Sequence, residues 1–196
     1  MAQSLSVFRH VPNAISAARI VATPVLVLLA LAGREDPFKW LLLAALLSDI
    51  VDGLIARSFG LTSALGTRLD TLADTLLWVA AIAGIWKFHP ELVTEHGIVV
   101  AAVIGAWVTE HVVSLVRYGK LTSFHTYLVR ISAYALGIFV MSLFLWGVQP
   151  SLLFFAAGLS ILGTIEELVI IALLPEWTAN VRGLFWVLRE RGPEPS

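Results

Sequence analysis

The sequence predicts an all-α fold: a bundle of six transmembrane helices with short interfacial segments at its two ends. Three observations carry that prediction. The chain is 58% hydrophobic and only 14% charged, with a mean hydropathy of +0.86, whereas soluble domains run nearer half apolar and about a quarter charged. Its apolar residues gather into six runs, each near the ~20 residues that a helix needs to cross a hydrocarbon core. Short breaks rich in charges and turn formers separate the runs, as helix ends require. A soluble fold of 196 residues could not hide so much apolar surface, so lipid takes up the excess.

The first span is predicted over residues 13–32, with Asn13 as its N-terminal cap. Polar residues follow Arg9, and no small-residue cleavage site precedes Gly33-Arg34, so this run is read as a permanent span and not a cleaved leader. The break Gly33-Arg34-Glu35-Asp36-Pro37 leads to the second span, 38–57. Residues 58–65 lead to the third, 66–88, and 89–96 to the fourth, 97–117. Residues 118–124 then precede the fifth, 125–148, and Gln149-Pro150 the sixth, 151–174. Short connections favour antiparallel neighbours in one bundle. With no internal repeat or low-complexity stretch, 1–196 reads as a single membrane domain.

Orientation follows from Lys and Arg. Six spans put both termini on one side, which receives ten of the thirteen cations, while Arg34, Lys39 and Lys87 fall on the other. Both termini are therefore expected to be cytoplasmic. Phe8, Trp177, Phe185 and Trp186 in the flanking segments 1–12 and 176–196 are expected at the membrane interface. Trp40, Trp86 and Trp146, near span ends, are read as interfacial aromatics. The net charge of −1 gives no basic footprint for nucleic acid. Without cysteine, disulfides and thiolate metal sites are excluded.

Carboxylates inside spanning segments cost ~2.5–3.5 kcal/mol each on insertion scales and are functional by default. The second span ends Asp49-Ile50-Val51-Asp52-Gly53-Leu54-Ile55-Ala56-Arg57, and the third begins Gly66-Thr67-Arg68-Leu69-Asp70-Thr71-Leu72-Ala73-Asp74. Asp49 and Asp52 are three apart, and Asp70 and Asp74 four apart, so each pair shares a helical face. The short connection at 58–65 can bring the two faces together near the cytoplasmic rim. Four converging aspartates repel one another unless protonated or neutralised by cations, and Arg57 and Arg68 offset two charges at most. Oxygen ligands without sulfur suit Mg²⁺, Mn²⁺ or Ca²⁺. Four carboxylates suit a two-metal site clamping a phosphoryl group. Gly53 and Gly66 leave room for close approach of a ligand or a helix. On physics alone an ion- or proton-conducting relay competes with this reading.

From Asp49 to Asp74 the chain reads D-x2-D-G-x2-A-R-x8-G-x3-D-x3-D, eight specified residues in 26 positions. This resembles the signature of the CDP-alcohol phosphatidyltransferase family with every position matched. Pro12-Asn13-Ala14-Ile15-Ser16-Ala17-Ala18-Arg19 is similar to an opening common in the same family. The resemblance implies six helices with the signature at the cytoplasmic ends of the second and third, in a prokaryotic inner or plasma membrane. It implies an enzyme of phospholipid synthesis that moves a phosphatidyl group from CDP-diacylglycerol to a small alcohol and releases CMP. It implies Mg²⁺ or Mn²⁺ held by Asp49, Asp52, Asp70 and Asp74, with Asp74 also the general base on the incoming hydroxyl. Asn13, Gly53, Ala56, Arg57 and Gly66 would line the nucleotide, and a homodimer is expected.

The acceptor is open among glycerol 3-phosphate, serine and inositol phosphate types. An anionic acceptor needs cations, for which Arg68, Arg117, Lys120, His125 and Arg130 are the candidates. Glycerophosphate-using members of the family often read Asp-Pro-x-Ala-Asp-Lys at the second aspartate pair. Here the chain has Asp70-Thr71-Leu72-Ala73-Asp74-Thr75, without the Pro and the Lys, a form more similar to serine-using members. Glu110 and Arg117, seven apart, share a face and are expected to pair. Glu166 and Glu167 are adjacent, so at most one faces any given site. The five His residues show no ligand spacing.

Overall fold

The computed structural model describes the backbone of residues 11–58, 64–120, 124, 126–178 and 181–190, and the side chains of that set other than 11, 12, 52–58, 64, 65, 67, 68 and 190. The described residues are helical, with no strand among them. Six helices are long: α1 (Val11–Leu31), α2 (Glu35–Ser58), α3 (Ala64–Phe88), α4 (Pro90–Tyr118), α5 (Tyr127–Trp146) and α6 (Pro150–Leu173). A seventh, α7 (Leu184–Glu190), is short and lies in the segment expected at the interface. Five of the long helices are long and apolar enough to cross a membrane: Asn13–Leu31 within α1, Leu69–Phe88 within α3, and the whole of α4, α5 and α6. The sixth, α2, has 24 residues, ample for a span, and carries the acidic residues of the signature in its second half. Large apolar side chains lie open along these helices, Leu31, Ile98 and Val116 being 75–89% exposed, as suits contact with lipid tails. The chain is an integral multi-pass membrane protein.

Helix starts differ from expectation where proline and acids sit together. The second helix begins at Glu35, three residues early, because Glu35 and Asp36 favour the positive end of the helix dipole and Pro37 suits a first turn. The fourth begins at Pro90, with Glu91 in its first turn, and bends at His96 (φ −125°, ψ 22°). The segment expected as a break is thus a helical turn joined to the span by a kink. The fifth starts later, at Tyr127, because Thr126 caps it by accepting the Val129 N–H at 3.2 Å.

The chain forms two compact units, Met1–Glu91 and Leu92–Ser196. In the first, α1 packs along both α3 and α2, and α2 touches α3 less extensively. Leu26, Phe38, Leu42, Ala73, Leu77, Ala80 and Ala81 form its buried interior. The alanines on α3 leave room for a close neighbour. The turn from α1 to α2 is a Schellman closure: Gly33 at φ +67° donates to the Ala30 carbonyl (3.1 Å) and Arg34 to that of Leu29 (2.9 Å).

In the second unit α5 packs on α6 around Phe139, Leu143, Leu153 and Ala156. Phe124, Ile170, Ile171 and Val187 make a further buried cluster that holds α7 against α6. Glu166 binds the same region. It accepts the Thr126 hydroxyl at 2.7 Å and the Leu184 N–H at 2.9 Å, joining the start of α5 to the start of α7.

Candidate active site

Three of the four aspartates expected to meet do converge, and the side chain of the fourth, Asp52, lies outside the described residues. Asp49, Asp70 and Asp74 each offer an oxygen, and these oxygens all lie within 4.8 Å of one another. The spacing of four residues stacks Asp70 over Asp74 on one face of α3, and Asp49 reaches them from α2. Among the described side chains the group is joined from the third helix of the unit. Arg19, on α1, places Nη1 against Asp49 Oδ1 and 2.6 Å from Asp74 Oδ1, and Nη2 2.7 Å from Asp70 Oδ1.

Burial is uneven across this cluster. The Arg19 side chain is 2% exposed, whereas those of Asp49, Asp70 and Asp74 are 37%, 35% and 32% exposed. The guanidinium therefore lies beneath, and the carboxylates open on the side away from it. A buried arginine is tolerated when its donors are met by anions, and among the described side chains one cation faces three carboxylates. The exposed side of those carboxylates is where a further cation can approach.

The donor set fits divalent ions. Mg²⁺ holds oxygens at ~2.0–2.1 Å, so two oxygens on one ion stand up to ~4.2 Å apart, and ions ~3.5–4 Å apart share ligands over a slightly wider span. A cluster confined within 4.8 Å, all hard oxygen and half-buried, meets that requirement.

The other expected site residues divide into two groups. Asn13 and Gly66 are half-buried near the start of α1 and of α3. Asp52, Gly53, Ala56 and Arg57 on α2, and Arg68 on α3, have side chains outside the described residues, as does the whole of His125. In the second unit the cations have other partners. Arg117 donates to the carbonyls of Ala172 (3.4 Å) and Leu174 (3.2 Å), closing the end of α6. Lys120 stands 4.8 Å from the centre of the Trp177 ring and Arg130 5.9 Å from that of Tyr127. The expected pairing of Glu110 with Arg117 gives way to a different arrangement, in which Glu110 is buried beside Glu167 of α6.

Arg19 is the site residue that sequence reasoning undervalued. The sequence places it among the cytoplasmic cations and at the end of the family-like opening Pro12 to Arg19, with no partner assigned. Its position inside the first apolar run, where an unpaired cation is costly, was the available signal.

The family model for CDP-alcohol phosphatidyltransferases matches residues 9–175, a stretch that includes Arg19 and all three clustered aspartates. The chain belongs to the CDP-alcohol phosphatidyltransferase family. Over 89 residues it is 36% identical to "CDP-diacylglycerol--glycerol-3-phosphate 3-phosphatidyltransferase 1, chloroplastic" of Oryza sativa subsp. japonica, covering 44% of this chain and 27% of that protein. It is 35% identical over 72 residues to proteins named "CDP-diacylglycerol--glycerol-3-phosphate 3-phosphatidyltransferase" in Rickettsia typhi and Rickettsia prowazekii, covering 35% of this chain and 40% of each. The matched stretches thus span less than half of these relatives. No solved structure matches the chain. The carboxylate cluster on α2 and α3 lies inside the matched stretch.

Proposed function

We propose that this transferase moves a phosphatidyl group from CDP-diacylglycerol to glycerol 3-phosphate, releasing CMP, as a step of phospholipid synthesis on the cytoplasmic face of its membrane. The observation that carries the reading is the convergence of Asp49, Asp70 and Asp74 on one accessible acidic face, within the family's signature. A pyrophosphate brought there meets like charge, so the reaction needs cations between the two. Asp49, Asp70 and Asp74, with Asp52 beside them in the sequence, would hold Mg²⁺ or Mn²⁺, which would supply neutralisation of the pyrophosphate and of charge at the phosphorus under attack.

The protein's own part is positioning and proton transfer. The acceptor hydroxyl attacks the phosphorus that carries the diacylglycerol. The bond from that phosphorus to the bridging oxygen breaks, and CMP leaves with the electron pair. Asp74 takes the hydroxyl proton, a role suited to a carboxylate set among other carboxylates. Asn13, Gly53, Ala56, Arg57 and Gly66 accommodate the nucleotide. Of the candidate acceptor cations, Arg68 stands two residues from Asp70 on α3, and we carry it forward as the contact for the acceptor's phosphate.

Glycerol 3-phosphate is supported by the names of the relatives. One observation favours serine as a second reading: Thr71 and Thr75 stand where glycerophosphate users often have Pro and Lys, and the Thr75 hydroxyl donates back to the Thr71 carbonyl at 2.8 Å. The test is CMP release by purified protein given CDP-diacylglycerol, Mg²⁺ and, separately, glycerol 3-phosphate, serine and inositol phosphate. CMP release with glycerol 3-phosphate that stops with EDTA and in Asp74→Asn supports the proposal. Release with serine alone replaces the acceptor. No release with any alcohol, together with ion flux in vesicles, overturns the transferase reading in favour of transport.

A further inference from the structure

We infer that Arg19 is a built-in counter-cation of the carboxylate cluster, one that divalent ions must displace to enter. The inference rests on the metal site proposed above and concerns how that site is held before an ion arrives. Three facts carry it. Arg19 uses both terminal nitrogens to reach one oxygen each of Asp49, Asp70 and Asp74. Those oxygens belong to the carboxylates that converge within 4.8 Å as a potential ion site. The guanidinium is buried to 2% while the carboxylates stay about one-third exposed, so the cation sits behind the cluster and the entry side is open.

The physical reasoning is competition for the same lone pairs. A divalent ion binds a carboxylate oxygen at ~2.0–2.1 Å and withdraws the charge that makes the oxygen a strong acceptor. A guanidinium with Nη1 shared between two of these oxygens cannot keep all its bonds once an ion is coordinated there. Arg19 comes from α1, whereas the carboxylates come from α2 and α3, so breaking these bonds loosens a cross-link that ties all three helices at this end. Before ion entry the same bonds hold three like charges together that would otherwise push α2 and α3 apart. Arg19 is on this account a positioning residue, acting through the aspartates.

Two measurements test it without using turnover. The first is Mn²⁺ binding, by electron paramagnetic resonance on EDTA-treated protein in detergent without lipid substrate. Removing the competing charge in Arg19→Gln is expected to tighten Mn²⁺ binding at least tenfold, while Arg19→Lys stays within about threefold of the wild type. The second uses the wild type alone, labelled with ¹⁵N-arginine, the Arg19 signals being assigned by their loss in Arg19→Lys. Saturating Mg²⁺ is expected to speed exchange of the Arg19 Nη protons with water, because their carboxylate acceptors are taken.

Equal or weaker Mn²⁺ binding in a folded Arg19→Gln, or Nη protons as protected with bound Mg²⁺ as without, overturns the role of Arg19 and leaves the metal site standing. Absence of Mn²⁺ binding in both wild type and Arg19→Gln overturns the metal site and this inference together. Should Arg19→Gln fail to fold, the exchange measurement decides alone.

Discussion

Gly84 on α3 faces Phe38 on α2, and substituting it probes the contact between these two helices. A Cβ at position 84 would fall 2.1 Å from Phe38 Cζ and 2.4 Å from Cε1, against an optimal carbon contact of ~3.5–4.0 Å. The ring cannot easily retreat, because Phe38 is fully buried and packs against Phe88 with centroids 5.4 Å apart. Two effects of Gly84→Ala oppose each other. Overpacking costs about 1–3 kcal/mol, and alanine stabilises a helix over glycine by about 0.5–1 kcal/mol. The clash wins, leaving a net loss of about 1–2 kcal/mol. In a Phe38→Ala background the clash is gone and only the helix preference survives, so the same substitution becomes stabilising by about 0.5–1 kcal/mol. Reversible unfolding by SDS titration in mixed micelles, followed by circular dichroism, reads both values. The same sign and size in the two backgrounds would refute the packing described for α2 and α3.

Other outcomes follow from the same geometry. Asp74→Asn is expected to lower the rate of CMP release by about 10²–10⁴, with the protein still folded. Asp49→Asn is expected to raise the Mg²⁺ concentration for half-maximal activity by at least ~10-fold, the scale seen even for residues one shell removed from a metal; an unchanged Mg²⁺ requirement removes Asp49 from the site. Arg68→Ala should raise the KM for glycerol 3-phosphate with little effect on the KM for CDP-diacylglycerol; equal effects on both would place Arg68 elsewhere. Glu166→Ala removes the acceptor shared by Thr126 and Leu184. A hydrogen bond contributes about 1 kcal/mol, so losing both is expected to cost about 2 kcal/mol. Trypsin cleavage at Arg182 and Arg189 should then run ~30-fold faster, at tenfold per 1.4 kcal/mol; unchanged cleavage argues against the Glu166 link.

The helices were legible because a bilayer leaves the sequence little choice. Apolar runs of the right length have to be helical where lipid surrounds them, and each predicted span has a counterpart. Their starts were harder to see, since Pro90 and Glu91 look like a break until one weighs proline and acid at a first helical turn. Asp49, Asp70 and Asp74 were legible because intramembrane carboxylates at helical spacing have few inert explanations. Arg19 was not, because its partners lie 30 to 55 positions along the chain and periodicity carries no information about which helix lies beside which. Glu110 failed for a related reason. A shared helical face made Arg117 its obvious partner, and tertiary packing supplied Glu167 in place of it.

The direct measurement is a structure of the protein with Mn²⁺, with anomalous scattering recorded at the manganese edge. The account predicts one or two peaks bounded by oxygens of Asp49, Asp70 and Asp74 at roughly 2.2 Å, and, if two, separated by ~3.5–4 Å. Anomalous density elsewhere, with the three aspartates still bound to Arg19 alone at saturating Mn²⁺, would contradict it.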